Sequence, residues 1–219
     1  MTTRPIRVLL ADDHLMVRRG LATLLLAFND VQLVGEAHNG AEALELCATT
    51  QPDMVLMDLL MPEMDGVVAT QAIRERYPHI QVIVLTSLDE YDCVQRALAA
   101  GAAGYLLKNS SGSELATAIR VAHAGRPTQA PQSFEDMVRA DQPLESASPE
   151  LGADLTCREH GVLALLAHGL TNTQIGAQLN ISGATVKFHV SSILSKLGVL
   201  SRTEAVALAV QHHLTKGSD

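Results

Sequence analysis

Asp53 to Gly66, DMVLMDLLMPEMDG, constrains the fold more than any other stretch, because Met54 to Met57 is an unbroken apolar run that stops at Asp58. Four apolar residues bounded by polar and Pro/Gly signals read as a strand buried on both faces, the kind found in the middle of a parallel sheet. Asp58 then stands at the carboxyl end of that strand, the side on which open α/β sheets place their ligand crevice. Pro62, Asp65 and Gly66 turn the chain ahead of the next helix.

Three more buried strands end in polar groups. Arg7 to Ala11 runs into Asp12-Asp13, Gln81 to Leu85 into Thr86-Ser87, and Gly104 to Leu107 into Lys108. A further strand spans Val31 to Ala37. Helical spacing covers His14 to Phe28, Ala41 to Ala48, Val67 to Arg76, Tyr91 to Ala100 and Ser113 to Ala124. In the first of these, Leu15, Leu21, Leu24, Leu25 and Phe28 form the apolar face and Arg18-Arg19 fall on the wet side. Strictly alternating strands and helices specify an α/β doubly wound parallel sheet. With the strands as parallel neighbours, three carboxylates, a hydroxyl and an ammonium converge on one edge.

Like charges a few ångströms apart stay ionised only when something compensates them. A divalent cation is the simple remedy, and hard oxygen ligands completed by water and a phosphate describe Mg²⁺. In that setting Asp58 is a nucleophile toward phosphorus, Lys108 neutralises the transferred phosphoryl group, and the Thr86 hydroxyl donates to its oxygen. His14 follows two acids, but Mg²⁺ prefers oxygen, so His14 is read as a helix-start residue.

The acidic pair Asp12 and Asp13, Asp58 within DLLMPEMDG, Thr86 in VLTS, and Tyr105 and Lys108 in GYLLK resemble the receiver domain of two-component response regulators. The resemblance spans residues 6 to about 124 and implies a flavodoxin-like five-stranded sheet in the order 2-1-3-4-5. It implies that Asp58 is the phosphoacceptor. Asp13, Asp58 and the backbone carbonyl of Leu60 would hold Mg²⁺, with Asp12 reaching it through water. Tyr105 would be an aromatic switch that turns inward as Thr86 moves toward the phosphoryl group. In this family the residues two beyond the acceptor and two beyond the Thr influence acyl-phosphate hydrolysis. Here they are Leu60 and Leu88, neither of which can orient water or act as a base, so hydrolysis is expected to be slow.

Composition bears on the partners. The formal net charge of -8 is unevenly divided: residues 155 to 219 hold five Lys/Arg and three acids, the remainder 11 Lys/Arg and 21 acids. Segregation of this kind points to two domains with different partners, the acidic half repelling DNA and the other half carrying any contact with it. Cys47, Cys93 and Cys157 are too few and too scattered for a disulfide framework or a zinc site, which fits a reducing cytoplasm. No signal peptide and no apolar stretch of membrane-spanning length is expected.

Pro127, Pro131, Pro143 and Pro149 interrupt the segment 126 to 153, read as a linker with a short helix over Gln132 to Ala140. The domains expected around it are residues 4 to 125 and 154 to 217. In the latter, Thr156 with Glu159 forms a capping box that opens a helix from Cys157 to His168, closed by Gly169. Thr171 caps Asn172 to Leu179, Ser182 caps Gly183 to Leu197, and Gly198 ends that helix. Ser201 caps a last helix on which Val206, Leu208 and Val210 are apolar and serve either the bundle core or a dimer face.

A tight turn between two short helices, the second rich in Thr, Lys, His and Ser, suits an all-α helix-turn-helix domain. LTCRE, GLTNTQIGAQLNIS, TVKFHVSSILSKLGV and SRTEAV are similar to the LuxR-type helix-turn-helix, so the whole chain resembles the NarL/FixJ class of response regulators. The resemblance implies base-edge contacts from Lys187, Phe188 and Ser191 and phosphate contacts from Thr185, His189, Lys196 and Arg202. Gly161, Thr173 and Ser191-Ser192 stand where many members carry charge, which predicts modest DNA affinity dependent on dimerisation. The implied partners are a sensor histidine kinase, double-stranded DNA and a second copy of the chain. Two other readings are weighed beside it. A phosphohydrolase also uses an Asp nucleophile and Mg²⁺, though usually at the end of the first strand in a D-x-D arrangement. A receiver controlled by ligand or partner binding would need no phosphorylation.

Overall fold

The computed structural model describes residues 4–87, 91–125, 152, 154–179, 181–212 and 214. The chain divides into two compact units, Met1–Gln142 and Pro143–Asp219. In the first, strands β1 (Ile6–Ala11), β2 (Val31–Ala37), β3 (Met54–Asp58), β4 (Gln81–Thr86) and β5 (Gly104–Leu107) pair in parallel in the order β2-β1-β3-β4-β5. Helices α1 (Leu15–Leu25), α2 (Gly40–Thr50), α3 (Gly66–Arg76), α4 (Tyr91–Ala99) and α5 (Gly112–His123) connect and follow them.

Every residue of β3 is buried, as an all-apolar central strand must be when helices cover both faces. Side chains alternate between those faces. Val8, Leu10, Met54, Leu56, Ile83 and Leu85 pack with Leu21 and Leu25 of α1 and Leu115 and Ile119 of α5. The intervening Leu9, Val55, Met57, Val82 and Val84 are equally buried and face α2, α3 and α4. Full burial of each such side chain stabilises by about 1.5–3 kcal/mol before chain entropy is counted. β2 is one of the two edge strands, and its polar Gln32 and Glu36 are exposed accordingly.

Two departures from the sequence reading occur in α1. The helix stops at Leu25, where Ala27 and Phe28 N–H groups bond three residues back and tighten the chain into turns, although Phe28 still packs on the core. Leu15 and Leu24 face solvent at 51% and 39% exposure, so the inward stripe is narrower than the apolar composition suggested.

The second unit contains α6 (Cys157–Ala167), α7 (Asn172–Gln178), α8 (Gly183–Leu197) and α9 (Arg202–Gln211). Capping boxes at Thr156/Glu159 and Thr171/Gln174 open α6 and α7, and the Ser182 and Ser201 side chains cap α8 and α9. Gly169 and Gly198 close α6 and α8 at positive φ (78° and 67°), as glycine does at no steric cost. Leu155, Val162, Leu163, Leu166, Ile175, Val186, Ile193 and Leu197 make the core. α9 buries Ala205 and Ala209, while Val210 of the anticipated apolar stripe is 59% exposed. Small residues let α9 approach its neighbours closely, a feature that hydrophobicity alone does not announce.

Among the described residues no helix is long and apolar enough to cross a membrane. The expected linker over residues 126–153, apart from Gly152, lies outside the described residues, as do its short helix and Leu88.

Candidate functional site

β1, β3 and β4 end in the groups singled out by the sequence, and their parallel register brings those ends together. Asp12, Asp58 and Thr86 are each 0% exposed, and Asp13 and Lys108 are partly covered. Lys108 follows β5 and is pinned by its N–H, which donates to the Thr86 carbonyl at 2.8 Å. Its ammonium lies 2.8 Å from Asp58 Oδ2 and 3.1 Å from Asp12 Oδ2, bridging β5 to β3 and β1.

The carboxylates are held individually as well. Asp12 Oδ1 accepts from the His14 N–H at 2.7 Å, and Asp58 Oδ1 accepts from the Leu60 N–H at 3.3 Å. Asp13 Oδ1 lies 2.6 Å from His14 Nδ1. His14 occupies the N-cap position of α1, the helix-start place its sequence neighbourhood suggested. One ligand atom each from Asp12, Asp13, His14 and Asp58 falls within 4.8 Å of all the others.

Gly66 makes this arrangement possible. A Cβ there would stand 2.0 Å from the backbone oxygen of Asp58, and the Gly66 N–H donates to the Leu59 carbonyl at 3.0 Å. Only glycine lets the β3–α3 loop fold this closely over the strand end. Asp65 caps α3 by accepting from the Val68 N–H at 2.9 Å, which fixes where the loop ends.

Three acids cluster beside one ammonium, which pairs with two of them, in a mostly buried pocket. Burial pushes the Asp12 carboxyl above the usual range and the Asp58 charge pushes the same way, against the pull of Lys108. Burial opposes the Lys108 charge, but Asp58 and Asp12 outweigh it and hold its pKa above the ordinary lysine value. An excess of hard oxygen donors with too little positive charge is the donor set that Mg²⁺ suits. Asp13, Asp58 and the Leu60 carbonyl are the groups that would hold such an ion, and its charge would compensate what Lys108 leaves over.

Thr86 Oγ1 donates to the Ser87 carbonyl at 2.9 Å. Tyr105 is 8% exposed and pairs in register with Val84 on β4. The sequence reading missed Arg18. It placed both arginines of α1 in solvent, yet only Arg19 is exposed, whereas the Arg18 side chain is 15% exposed. Arg18 donates to the Asp12 carbonyl at 2.6 Å and pairs with Glu36 at 3.4 Å, tying β1 to β2 beneath the acids. The available signal was its position one turn beyond His14, on the end of α1 that the strand edge faces.

In the second unit Lys187, Phe188 and Ser191 are exposed on α8, Phe188 at 71%. Thr185 Oγ1 lies 2.8 Å from Ser182 Oγ at the helix start. Burial, with Arg158 nearby, holds His189 below the ordinary histidine value. Lys196 and Arg202 have intramolecular partners: Lys196 the Glu159 carboxylate, Arg202 the Leu170 carbonyl and Asn172 Oδ1. Gly176 supports the tight turn before α8, since a Cβ there would lie 2.7 Å from the Ile181 carbonyl oxygen.

Comparison with known proteins covers both units. Residues 8–120 match the response regulator receiver domain, and residues 153–209 match the bacterial regulatory proteins of the luxR family. The chain is 44% identical over 210 residues to the transcriptional regulatory protein LiaR of Bacillus subtilis, spanning 95% of this chain and 99% of that one. It is 43% identical over 209 residues to the response regulator protein VraR of Staphylococcus aureus, spanning 95% and 98%. Among solved structures, the response regulator ChrA of a heme-sensing two-component system aligns with a TM-score of 0.55 at 38% identity, covering 97% of this chain and 100% of that chain. A structure of two RcsB dimers bound to two parallel DNAs aligns with a TM-score of 0.59 at 25% identity, covering 95% and 99%.

Proposed function

The chain belongs to the response regulators that join a receiver domain to a LuxR-type DNA-binding domain, and from that premise we propose that it is a transcriptional regulator switched by phosphorylation of Asp58. Residues 4–125 are the receiver, 126–153 the linker and 154–217 the output domain of this reading. The donor is the phosphohistidine of a sensor kinase, and the regulator works in the cytoplasm without turning over an external substrate.

One observation carries the proposal: Asp58 sits fully buried at a strand end, 2.8 Å from Lys108 and among two further carboxylates. A carboxylate oxygen of Asp58 attacks phosphorus, the bond from phosphorus to the histidine nitrogen breaks, and that nitrogen keeps the electron pair. Lys108 already touches the acceptor and is placed to neutralise the incoming phosphoryl oxygens. Mg²⁺, when held by Asp13, Asp58 and the Leu60 carbonyl with Asp12 behind, supplies the remaining positive charge. The phosphoryl group carries about -1.5 to -2 charge and three acceptor oxygens where the carboxylate carried a single charge. Thr86 exchanges its bond to the Ser87 carbonyl for one to a phosphoryl oxygen, and Tyr105 follows inward on the adjacent strand.

The readout is dimerisation and binding of a two-fold symmetric DNA site. Lys187, Phe188 and Ser191 face base edges, and Thr185 and His189 lie toward phosphates. Acetyl phosphate with Mg²⁺ tests the switch when phosphorylation, sedimentation and DNA affinity are followed in wild type and Asp58→Asn. Phosphorylation, dimerisation and tighter binding confined to wild type are expected. Equal DNA binding by both proteins with and without donor would show that phosphorylation is not the switch and leave control by ligand or partner as the reading to test.

A further inference from the structure

Lys196 lies nine residues beyond Lys187 on α8, about two and a half turns at 3.6 residues per turn, which puts it on the opposite side of the helix. Ser192, one turn before it, shares its side. Both reach Glu159 of α6, whose side chain is almost completely buried. The Lys196 ammonium donates to Glu159 Oε2 at 2.6 Å and to the Asp154 carbonyl at 3.0 Å. Ser192 Oγ donates to Glu159 Oε1 at 2.6 Å. The same carboxylate accepts from the Thr156 N–H at 2.7 Å, closing the capping box of α6.

We infer that Ser192 and Lys196 are positioning residues that set the orientation of α8 on α6 through the Glu159 carboxylate, and that Lys196 makes no charge-neutralising contact with DNA phosphate. This rests on α8 being the DNA-facing helix. Two of the three ammonium donors are engaged inside the unit, and the Lys196–Glu159 pair is neutral as it stands. A charge-neutralising phosphate contact would require the ammonium to leave a buried carboxylate unpaired, which opposes the move. Meanwhile the exposed Lys187 and Ser191 present the other side of α8, and the exposed Phe188, one turn before Ser192, stands between the two sides. A small rotation of α8 would misplace all three at once, so the Glu159 cluster governs selectivity where a phosphate contact governs the salt dependence.

The test uses the full chain and two duplexes of equal length, one selected by the wild-type protein from a random library and one unselected. Affinity is measured between about 50 and 200 mM salt, with thermal melts to verify folding. Lys196→Met is expected to lower the ratio of selected to unselected affinity about tenfold, the scale of one lost base contact, with the salt slope unchanged. Ser192→Ala removes no charge, keeps the ion pair and should lower the ratio about threefold at unchanged slope, so it carries the test should Lys196→Met fail to fold. Lys196→Arg, which can still pair with Glu159, should restore the ratio. A slope reduced by about one unit in Lys196→Met, the signature of a lost phosphate contact, overturns the inference, as does an unchanged ratio in both variants. Lys187→Met separates the underlying reading: if it leaves binding to both duplexes unchanged, α8 is not the DNA-facing helix.

Discussion

The two units each bury acidic groups beside a lysine, and they balance them in opposite ways. At the receiver edge Lys108 serves Asp12 and Asp58 together while Asp13 adds a third carboxylate. At Glu159 one carboxylate meets Lys196, the Ser192 hydroxyl and the Thr156 N–H, so its charge and lone pairs are met inside the fold. Burial raises the Asp12 pKa, whereas at Glu159 the bonds from Lys196, Ser192 and Thr156 outweigh burial and lower it. A pocket left short of positive charge suits the cation and phosphoryl group proposed for it, and a closed cluster holds two helices. Charge compensation therefore separates a reactive site from a structural one even where the residue types are the same.

The largest expected effect removes the scaffold under this contrast. Gly66→Ala would set a Cβ 2.0 Å from the Asp58 backbone oxygen, and backbone cannot swing aside as a flexible side chain can. The loop must shift, at a cost of about 4 kcal/mol. Denaturant unfolding followed by amide signals of the sheet should show it, while the second unit keeps its own transition. Phosphorylation of Asp58 by acetyl phosphate should fall with it. A variant of near wild-type stability would mean that the acceptor loop is looser than this close approach requires.

Next come two substitutions of opposite sign. Glu159→Gln strips the charge from the closed cluster and leaves Lys196 without its partner, so the second unit should lose about 2–3 kcal/mol. Asp12→Asn relieves the crowded pocket, keeps an oxygen for the His14 N–H and leaves Lys108 paired with Asp58. The receiver should gain about 1 kcal/mol in the absence of divalent ions while binding Mg²⁺ more weakly. Loss of stability in both variants would break the comparison.

Acid sharpens it further. Glu159 has a lowered pKa, so its contribution is present above the ordinary glutamate range and is lost as pH falls through its lowered folded value. Asp12 has a raised pKa, so the folded receiver takes up a proton before the unfolded chain does. Its carboxylate penalty is full above the raised value and is relieved as pH falls toward the ordinary aspartate range. The stability difference between wild type and variant should narrow with acid for both Glu159→Gln and Asp12→Asn, since in each case protonation removes the charge that the substitution removes. In the first pair it is the wild type that weakens, and in the second the wild type that gains. Urea midpoints measured across about pH 7 to 3 check both signs: a wild type that gains on Glu159→Gln as pH falls, or one that weakens relative to Asp12→Asn, would overturn the assignment.

Much of this was legible because the controlling signals are local. The run Met54–Met57 ending in Asp58 could be little else than a central strand, and Thr156, Thr171, Ser182 and Ser201 announce the helix starts where the structure has them. What escaped depends on approach between segments distant in sequence. Arg18 reads as one of two exposed arginines until β1 and β2 bring the Asp12 carbonyl and Glu36 within its reach. Ala205 and Ala209 carry the buried face of α9 because their smallness suits the gap, while Val210 points outward. Glu159 was recognised as a cap, but its ties to α8 span 33 and 37 residues and no periodicity encodes them.

The smallest expected effect concerns how long the switch stays on. The Leu60 N–H touches Asp58 Oδ1 at 3.3 Å, and the side chain beyond it is an aliphatic group beside the acceptor, only partly buried. It can neither accept a proton from an attacking water nor hold that water in line with phosphorus. Hydrolysis of phospho-Asp58 should therefore be slow, with a half-life well beyond seconds. Leu60→Gln adds an amide able to orient water without becoming a base, so the gain should be about threefold, well short of the 10²–10⁴ that a positioned base provides. Phosphoprotein decay with the donor removed measures this, and the variant should leave the charge balance of the pocket untouched. A half-life of seconds in the wild type would show that water is already oriented there by another group, and that the apolar neighbour of Asp58 does not protect the acyl phosphate.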